Sequence, residues 1–242
     1  MTPSSVARKR PNHGPTGFML ELCMGAVMLT LLAWAFGVLI EIVGAYTLWQ
    51  DQAELHSRDM VAEDLGYIAA APRSVLIEDT VTFSKMLVDN VSLPFERLGV
   101  DAWYRRALAQ VQPASDAGLA GASSALSMEI ARCLMIAKYV AQDTVLRLAI
   151  AVFAMPAFVL ACLLGAVDGL VRRDLRRWGG GRESSFVYHR AKRLASWCLT
   201  GGFAAYLSWP FGGFNPAYMV LIFTALVAAS LSTTLATFKK YL

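Results

Sequence analysis

Residues 168–193 read DGLVRRDLRRWGGGRESSFVYHRAKR and lie between two long apolar runs. The segment holds eight Lys and Arg residues against three acids, a net charge of +5. Because basic residues resist transfer across a bilayer, a short loop with this charge is retained on the cytoplasmic side. The loop therefore predicts how the chain on either side of it is oriented.

The composition of the 242-residue chain is typical of a membrane protein. Its hydrophobic share is 56%, whereas soluble domains contain about 45–50%. A helix needs roughly 20 apolar residues to cross a bilayer, and four stretches meet or approach that length: 22–40, 148–167, 194–211 and 217–238. Only residues 211–216 separate the last two, which predicts a helical hairpin with an aromatic tip. The expected fold class is an all-α membrane protein with four transmembrane helices.

Charge counts between these spans predict the topology. Residues 50–144 contain eight basic and thirteen acidic residues, a net charge of −5, and their apolar positions recur at helical spacing. An α-helical periplasmic insertion between helices 1 and 2 is therefore expected. Both ends of the chain carry basic clusters, so both termini are expected in the cytoplasm of a bacterial cell, with the protein multi-pass in the inner membrane.

The resulting division of the chain has seven parts. They are a cytoplasmic tail (1–16), transmembrane helix 1 (17–49), a periplasmic helical domain (50–144), transmembrane helix 2 (145–171), a basic cytoplasmic loop (172–193), a transmembrane hairpin of helices 3 and 4 (194–238) and a cytoplasmic C-terminus (239–242). From Ser123 no proline or glycine intervenes before Pro156. One long helix is therefore expected to run from the periplasmic domain into the second span, with a kink at Pro156.

Two ionisable residues flank the predicted outer ends of the spans. Glu41 follows the first apolar run and Arg147 precedes the second. Charged groups near membrane depth are usually paired or functional, so an ion pair between them is one expectation. The alternative is that each side chain extends to the lipid headgroups. The spans have no acid or base near their middle, which disfavours a proton relay or an ion-coupled transporter.

Small residues at four-residue spacing predict faces where helices pack closely. Such faces occur in the first, third and fourth spans and more often serve contacts within one chain than contacts between copies, so a homo-oligomer stays open. The packing residues are Ala33, Gly37, Gly201, Ala205, Ala225, Ala229 and Ser232.

The basic loop is the candidate interaction site. Retention of positive charge explains most of its arginines, and anionic headgroups or DNA phosphates are further candidates for contact. Aromatic residues lie among the arginines, however, and this mixture is typical of protein interfaces. Docking of a protein partner is therefore the sharper hypothesis, carried by Arg176, Arg177, Trp178, Arg182, Phe186, Tyr188, His189, Arg190 and Arg193.

The sequence contains no recognisable catalytic or metal-binding motif. Glycines 179–181 are followed by no Gly-Lys-Ser/Thr ending, so they indicate a turn rather than a nucleotide-binding loop. The three histidines are scattered, and the four cysteines form no motif. We expect no metal, no cofactor and no enzyme activity.

The string from Arg176 to Arg193, with a hydrophobic helical hairpin after it, resembles the signature loop of the membrane proteins of integrating conjugative elements. The resemblance extends over nearly the whole chain. It implies an inner-membrane protein encoded near the coupling ATPase that feeds DNA to a type IV secretion channel. The expected function is a non-enzymatic accessory subunit of conjugative DNA transfer, which docks the coupling ATPase or another channel subunit. Two alternatives are a small-molecule or lipid transporter and an envelope-sensing membrane protein.

Overall fold

The computed structural model of the chain describes residues 14–50, 52–70, 74–110, 119–179 and 185–237. All regular structure in these ranges is helical, which confirms the all-α prediction. The helices are α1 (Pro15–Thr47), α2 (Ala53–Ala70), α3 (Thr80–Arg97), α4 (Val100–Ala109), α5 (Leu119–Phe153), α6 (Met155–Trp178), α7 (Ser185–Trp197), α8 (Phe203–Leu207) and α9 (Pro216–Ala236), with a π-helical turn (Cys198–Gly202) between α7 and α8.

Three helices of the described part are long and apolar enough to cross a membrane. They are α1, α6 and α9, whose most apolar windows have mean hydropathies of 2.3, 1.7 and 2.0. These helices suggest that the protein is associated with a membrane. They correspond to the first, second and fourth of the predicted spans.

The long helix expected around Pro156 is divided into α5 and α6. Backbone hydrogen bonds continue across the break, from the Ala154 N–H to the Ile150 carbonyl and from the Phe158 N–H to the Ala154 carbonyl, both at 3.0 Å. Because proline has no N–H and its ring crowds the preceding turn, the regular helix is interrupted at Ala154, and the chain continues directly into α6. The first residues of the predicted second span, from Leu148 to Phe153, therefore belong to α5.

The predicted third span is helical but interrupted. The chain passes from α7 through the π-helical turn into α8 without a gap. Gly202 lies in that turn, where an added Cβ would come within 2.6 Å of the Phe223 ring of α9. The turn and its glycine therefore allow α9 to approach the α7–α8 segment closely.

The tightest helix pair is α6 with α9. A Cβ on Gly165 would lie 2.5 Å from the carbonyl oxygen of Ala228, and one on Gly169 would lie 2.5 Å from that of Ser232. Only glycine permits this approach of two backbones. The Ser232 hydroxyl also donates to the carboxylate of Asp168 at 2.5 Å.

The region between α1 and α6 forms a helical insertion in which α2, α3 and α4 pack around α5. One apolar core joins α2 to α5 through buried Val61, Ile68, Leu146 and Ile150. A second core joins α4 to α5 through Ala107, Met128 and Ala131. The insertion is therefore organised by α5, which also leads directly into α6.

Candidate functional site: a buried charged junction

Arg147 of α5 lies at the meeting point of three parts of the fold. It is 4% exposed, and its Nε and Nη2 atoms lie 3.1 Å from Asp64 of α2 and 3.0 Å from Asp143 of α5. Its Nη1 donates to the backbone carbonyls of Tyr206 at 3.2 Å and Trp209 at 2.5 Å. One guanidinium therefore fastens the insertion to the end of α8.

The end of α8 and the loop after it are held by further hydrogen bonds. The buried Tyr206 hydroxyl donates back to the carbonyl of Arg147 at 2.9 Å. Beyond it, the Gly213 N–H donates to Glu63 of α2 at 2.8 Å, and the Tyr67 hydroxyl donates to the same carboxylate oxygen at 2.7 Å. Gly213 has φ +77°, a conformation that glycine adopts without strain. The loop between α8 and α9 is thus tied to α2.

Glu41 of α1 completes this charged junction, which we define as Glu41, His56, Ser57, Asp64, Asp143, Arg147 and Tyr206. One Glu41 oxygen accepts a hydrogen bond from the Ser57 hydroxyl at 2.9 Å and lies 3.2 Å from Nδ1 of His56. The His56 ring stacks on Trp49, with centroids 4.1 Å apart. The predicted Glu41–Arg147 ion pair is replaced by these contacts, because α2 brings other partners to both residues.

Burial dominates the electrostatics of the junction. Glu41, Asp64 and Asp143 are 3%, 5% and 6% exposed. Removal of a carboxylate from water is costly unless it is paired, and burial raises the pKa of Asp143 well above its usual 3.8. The guanidinium of Arg147 opposes this rise in pKa, whereas the neighbouring Asp64 adds to it.

A small cavity adjoins the junction. It has a volume of about 10 Å³ and is lined by Glu41, Ser57, Asp143 and Ser208, among others. That volume corresponds to room for about one water molecule. The Oε1 atom of Glu41 and the Oδ1 atom of Asp143 are buried and have no hydrogen-bond partner. The described residues include no group of three or more side chains arranged to hold a metal ion.

The predicted docking residues lie at the opposite end of the apolar helices. Arg176, Arg177 and Trp178 form the last turn of α6, and Trp178 is 91% exposed. Basic residues in a last helical turn complement the helix dipole. In α7, the residues His189, Arg190 and Arg193 are exposed. The predicted docking residue Arg182 lies outside the described residues, as do the side chains of Phe186 and Tyr188.

Comparison with known proteins identifies the family. A sequence model described as "IncC plasmid conjugative DNA transfer protein DtrJ-like" matches residues 48–239. The chain belongs to the DtrJ-like family. A search of curated proteins and a search of solved structures found no match. The family description supports the conjugative role that the resemblance implied, although it names a plasmid where the resemblance named integrating elements.

The family match begins just after α1 and therefore includes most of the charged junction of this DtrJ-like chain. Glu41 lies before the matched region. The matched region also includes α6, α7 and the helical hairpin. The rest of the junction and the arginines at the end of α6 and in α7 thus lie in the part of the chain that matches the family.

The structure of this DtrJ-like chain places the predicted packing residues in different environments. In α1, Ala33 is buried beside Tyr206, and Gly37 faces Val140 of α5. Ser232 of α9 lies in the contact with α6. Four others are exposed: Gly201, Ala205, Ala225 and Ala229.

Sequence reasoning missed two sets of residues in the DtrJ-like chain. Gly165 and Gly169 form a small-xxx-small motif within the predicted second span, a signal for close packing that the sequence offered. Asp64 and Asp143 had no such signal. Asp64 is 83 residues from Arg147 in the chain, and nothing in its local sequence indicates that α2 folds against α5.

A large apolar cleft separates α1 from the other apolar helices. Its volume is about 760 Å³, and it extends from Phe18 on α1 to Phe223 and Val227 on α9. Only a few polar groups line it, namely Glu21, Thr200, Tyr206 and Thr224. Binding sites for polar small molecules require several convergent polar groups. This cleft therefore gives no specific support to transport of a polar small molecule.

Proposed function

We propose that this DtrJ-like protein is a non-enzymatic inner-membrane subunit of a conjugative DNA-transfer apparatus. It docks the coupling ATPase through a basic surface, which we define as Arg176, Arg177, Trp178, Arg190 and Arg193. The observation that carries the proposal is the position of Trp178. This almost fully exposed indole ends an apolar helix directly after Arg176 and Arg177, in a chain that belongs to a conjugative DNA-transfer family.

The proposed topology has four membrane crossings. Helices α1, α6 and α9 supply three of them. The α7 helix, the π-helical turn and α8 contain 13, 5 and 5 residues in sequence. The basic residues of α7 end at Arg193, so 14 helical residues, 194–207, remain for a crossing. At about 1.5 Å per residue they extend about 21 Å, which is shorter than a hydrocarbon core of about 30 Å. We assign the fourth crossing to these residues together with residues 208–211 of the loop that follows.

The contacts of the hairpin loop support this topology. Arg147 and Glu63 hold the loop after α8 against α2 and α5. The loop and the helical insertion therefore lie on one side of the membrane, and the basic surface lies on the other. The insertion segment has a net charge of −5 and the basic segment a net charge of +5, so the basic surface faces the cytoplasm.

Docking of a protein partner explains the basic surface better than retention of basic residues in the cytoplasm does alone. Arginine and tryptophan are the residues most enriched at binding hot spots, and charge retention requires no exposed indole. The coupling ATPase is a cytoplasm-facing component of conjugative transfer and is the partner that the proposal names. Electrostatic complementarity also speeds encounter with an acidic partner surface.

The test is co-purification of the coupling ATPase from donor cells that carry the transfer genes. Trp178→Ala should weaken the association by about 2 kcal/mol, roughly thirtyfold in affinity. A triple variant with Arg176→Glu, Arg177→Glu and Arg193→Glu should abolish co-purification and lower the frequency of DNA transfer. Both variants must first be shown to insert in the membrane at normal levels.

A matched control changes the same charge elsewhere. Arg97, Arg105 and Arg106 are exposed on α3 and α4, and their triple substitution by Glu should leave co-purification unchanged. Equal loss in both triple variants would indicate a general effect of charge. Normal recovery of the ATPase with both Trp178→Ala and the α6–α7 triple variant would overturn the docking role.

A further inference from the structure

The charged junction contains more buried acid than base. Glu41, Asp64 and Asp143 converge from α1, α2 and α5 around the single guanidinium of Arg147. With all three carboxyl groups ionised and His56 neutral, the junction has a net charge of −2. Buried charge that is not compensated strongly destabilises a folded protein, so this state requires a further positive partner.

The donors near the junction are already engaged. Arg147 contacts two carboxylates and two backbone carbonyls. The Tyr206 hydroxyl donates to the Arg147 carbonyl, and the Ser57 hydroxyl donates to Glu41. Further along α5, the Lys138 ammonium lies 2.9 Å from both oxygens of Asp101. Among the described residues, these contacts leave His56, beside Glu41, as the remaining junction group that can carry a positive charge. Even a protonated His56 would leave the junction with a net charge of −1.

Two buried oxygens nevertheless lack a donor. They are Oε1 of Glu41 and Oδ1 of Asp143, and both residues line the same water-sized cavity. The carboxyl groups of Asp64 and Asp143 both pair with the guanidinium of Arg147, so they lie close to each other. Two carboxyl groups form a hydrogen bond only when one of them carries a proton. A proton on one of these two carboxyl groups supplies a donor and removes one buried negative charge, and the cavity has room for one water molecule that can exchange it.

We propose that the charged junction is a proton-binding site in which Asp143 holds one proton and shares it with Asp64, and that release of this proton loosens the α8–α9 loop from the helical insertion. Release converts the Asp143 carboxyl group to a carboxylate and passes the proton to water in the cavity. The guanidinium of Arg147 is then drawn toward two carboxylates. Its hydrogen bonds to the carbonyls of Tyr206 and Trp209 weaken as a result.

The groups that face Asp143 come from every helix packed at the junction. They are Glu41 from α1, Asp64 from α2, Arg147 from α5 and Tyr206 from α8, and His56 of α2 lies against Glu41. Burial raises the pKa of Asp143, with Asp64 and Glu41 adding to the rise and Arg147 opposing it. A raised carboxyl pKa means that folding takes up a proton. The folded state is therefore stabilised at low pH, and this stability is lost as pH increases from 3.8 through the raised pKa of Asp143.

The direct test is infrared spectroscopy of the full-length protein in lipid nanodiscs, with isotope-labelled aspartate. The expected result is the carbonyl band of a protonated carboxylic acid, which disappears as pH increases and which is absent from Asp143→Asn. The matched control is Asp89→Asn, since Asp89 is an exposed carboxylate on α3. This control should keep the band. If the wild-type protein shows no such band at any pH at which it is folded, the proposal is wrong.

The second readout is the distance between α2 and the hairpin loop. Spin labels at Ala62 and Phe214, both exposed, should report one narrow distance at low pH and a longer, broader distribution as pH increases through the raised pKa of Asp143. Asparagine supplies an N–H donor at every pH, so Asp143→Asn should remain narrow throughout. Asp64→Asn supplies the same donor and serves as a second variant if Asp143→Asn does not fold. A pH response that persists in the folded variant would contradict the proposal.

Discussion

Arg147 shows how a single residue can connect distant parts of a helical membrane protein. It pairs with two buried carboxylates and donates to the carbonyls of Tyr206 in α8 and of Trp209 just after α8. Arg147→Gln removes the positive charge, leaves Asp64 and Asp143 without their partner and weakens the hold on the loop. Loss of one partner of a buried ion pair typically costs about 3–5 kcal/mol. We expect destabilisation of this size in thermal or denaturant unfolding in detergent.

Arg58→Gln is the matched control for this residue. Arg58 forms an ion pair with Asp59 at 3.5 Å, and both side chains are more than half exposed. Exposed pairs contribute about 0–1 kcal/mol, so this variant should unfold close to the wild type. Equal stability of the two variants would show that Arg147 does not hold the junction together.

The importance of Glu41 and Arg147 was predictable from sequence, but their partners were not. Ionisable residues beside apolar runs are unusual enough to be noticed. Their pairing depends on the folding of α2 against α5, and the apolar contacts that cause it, such as Val61 with Leu146, connect positions far apart in the chain. Local periodicity contains no information about which helices meet.

The α6–α9 pair offers a test at the scale of elements. A Cβ on Gly165 would lie 2.5 Å from the Ala228 carbonyl, whereas one on Gly25 of α1 would have nothing within 4 Å. Gly165→Ala should therefore force the helices apart, with a cost of about 1–3 kcal/mol. Gly25→Ala is the matched control and should be neutral or slightly stabilising, because alanine favours helix more than glycine. Thermal unfolding of the two variants checks this difference, and equal stability would contradict the close packing.

Sequence predicted the existence of these elements better than their contact faces. The apolar lengths of α1, α6 and α9 were clear, because length and composition alone define them. In α9, small residues occur at four-residue spacing on two adjacent faces. Ala225 and Ala229 are exposed, whereas Ala228 and Ser232 contact α6. The spacing alone does not distinguish the two faces. The contact face depends on glycines in the partner helix, so both sequences must be considered together.

At the scale of the whole molecule, the order of charged and apolar segments predicted an arrangement with two distinct ends. The structure places the charged junction and the basic surface at opposite ends of α6 and its neighbouring helices. The division between α5 and α6 was less predictable. The junction residues Asp143 and Arg147 lie in α5, close to apolar Leu148. The apolar run in the sequence therefore starts at Leu148, whereas the candidate membrane span starts at Met155.

The number of crossings is tested most sharply at Phe214, in the loop between α8 and α9. If the chain crosses four times, Phe214 and Asp89 lie on the outer side of the membrane and Trp178 lies on the cytoplasmic side. If α7 and α8 do not cross, Phe214 lies on the cytoplasmic side with Trp178. All three positions are exposed, and each is replaced by cysteine in a protein whose four natural cysteines are alanine. A membrane-impermeant maleimide added to intact spheroplasts should label the cysteines at 89 and 214, and should label the one at 178 only after permeabilisation. If the cysteine at 214 is also labelled only after permeabilisation, the chain crosses the membrane three times. The loop between α8 and α9 would then lie in the cytoplasm, and Arg147 could not hold it against the helical insertion on the outer side.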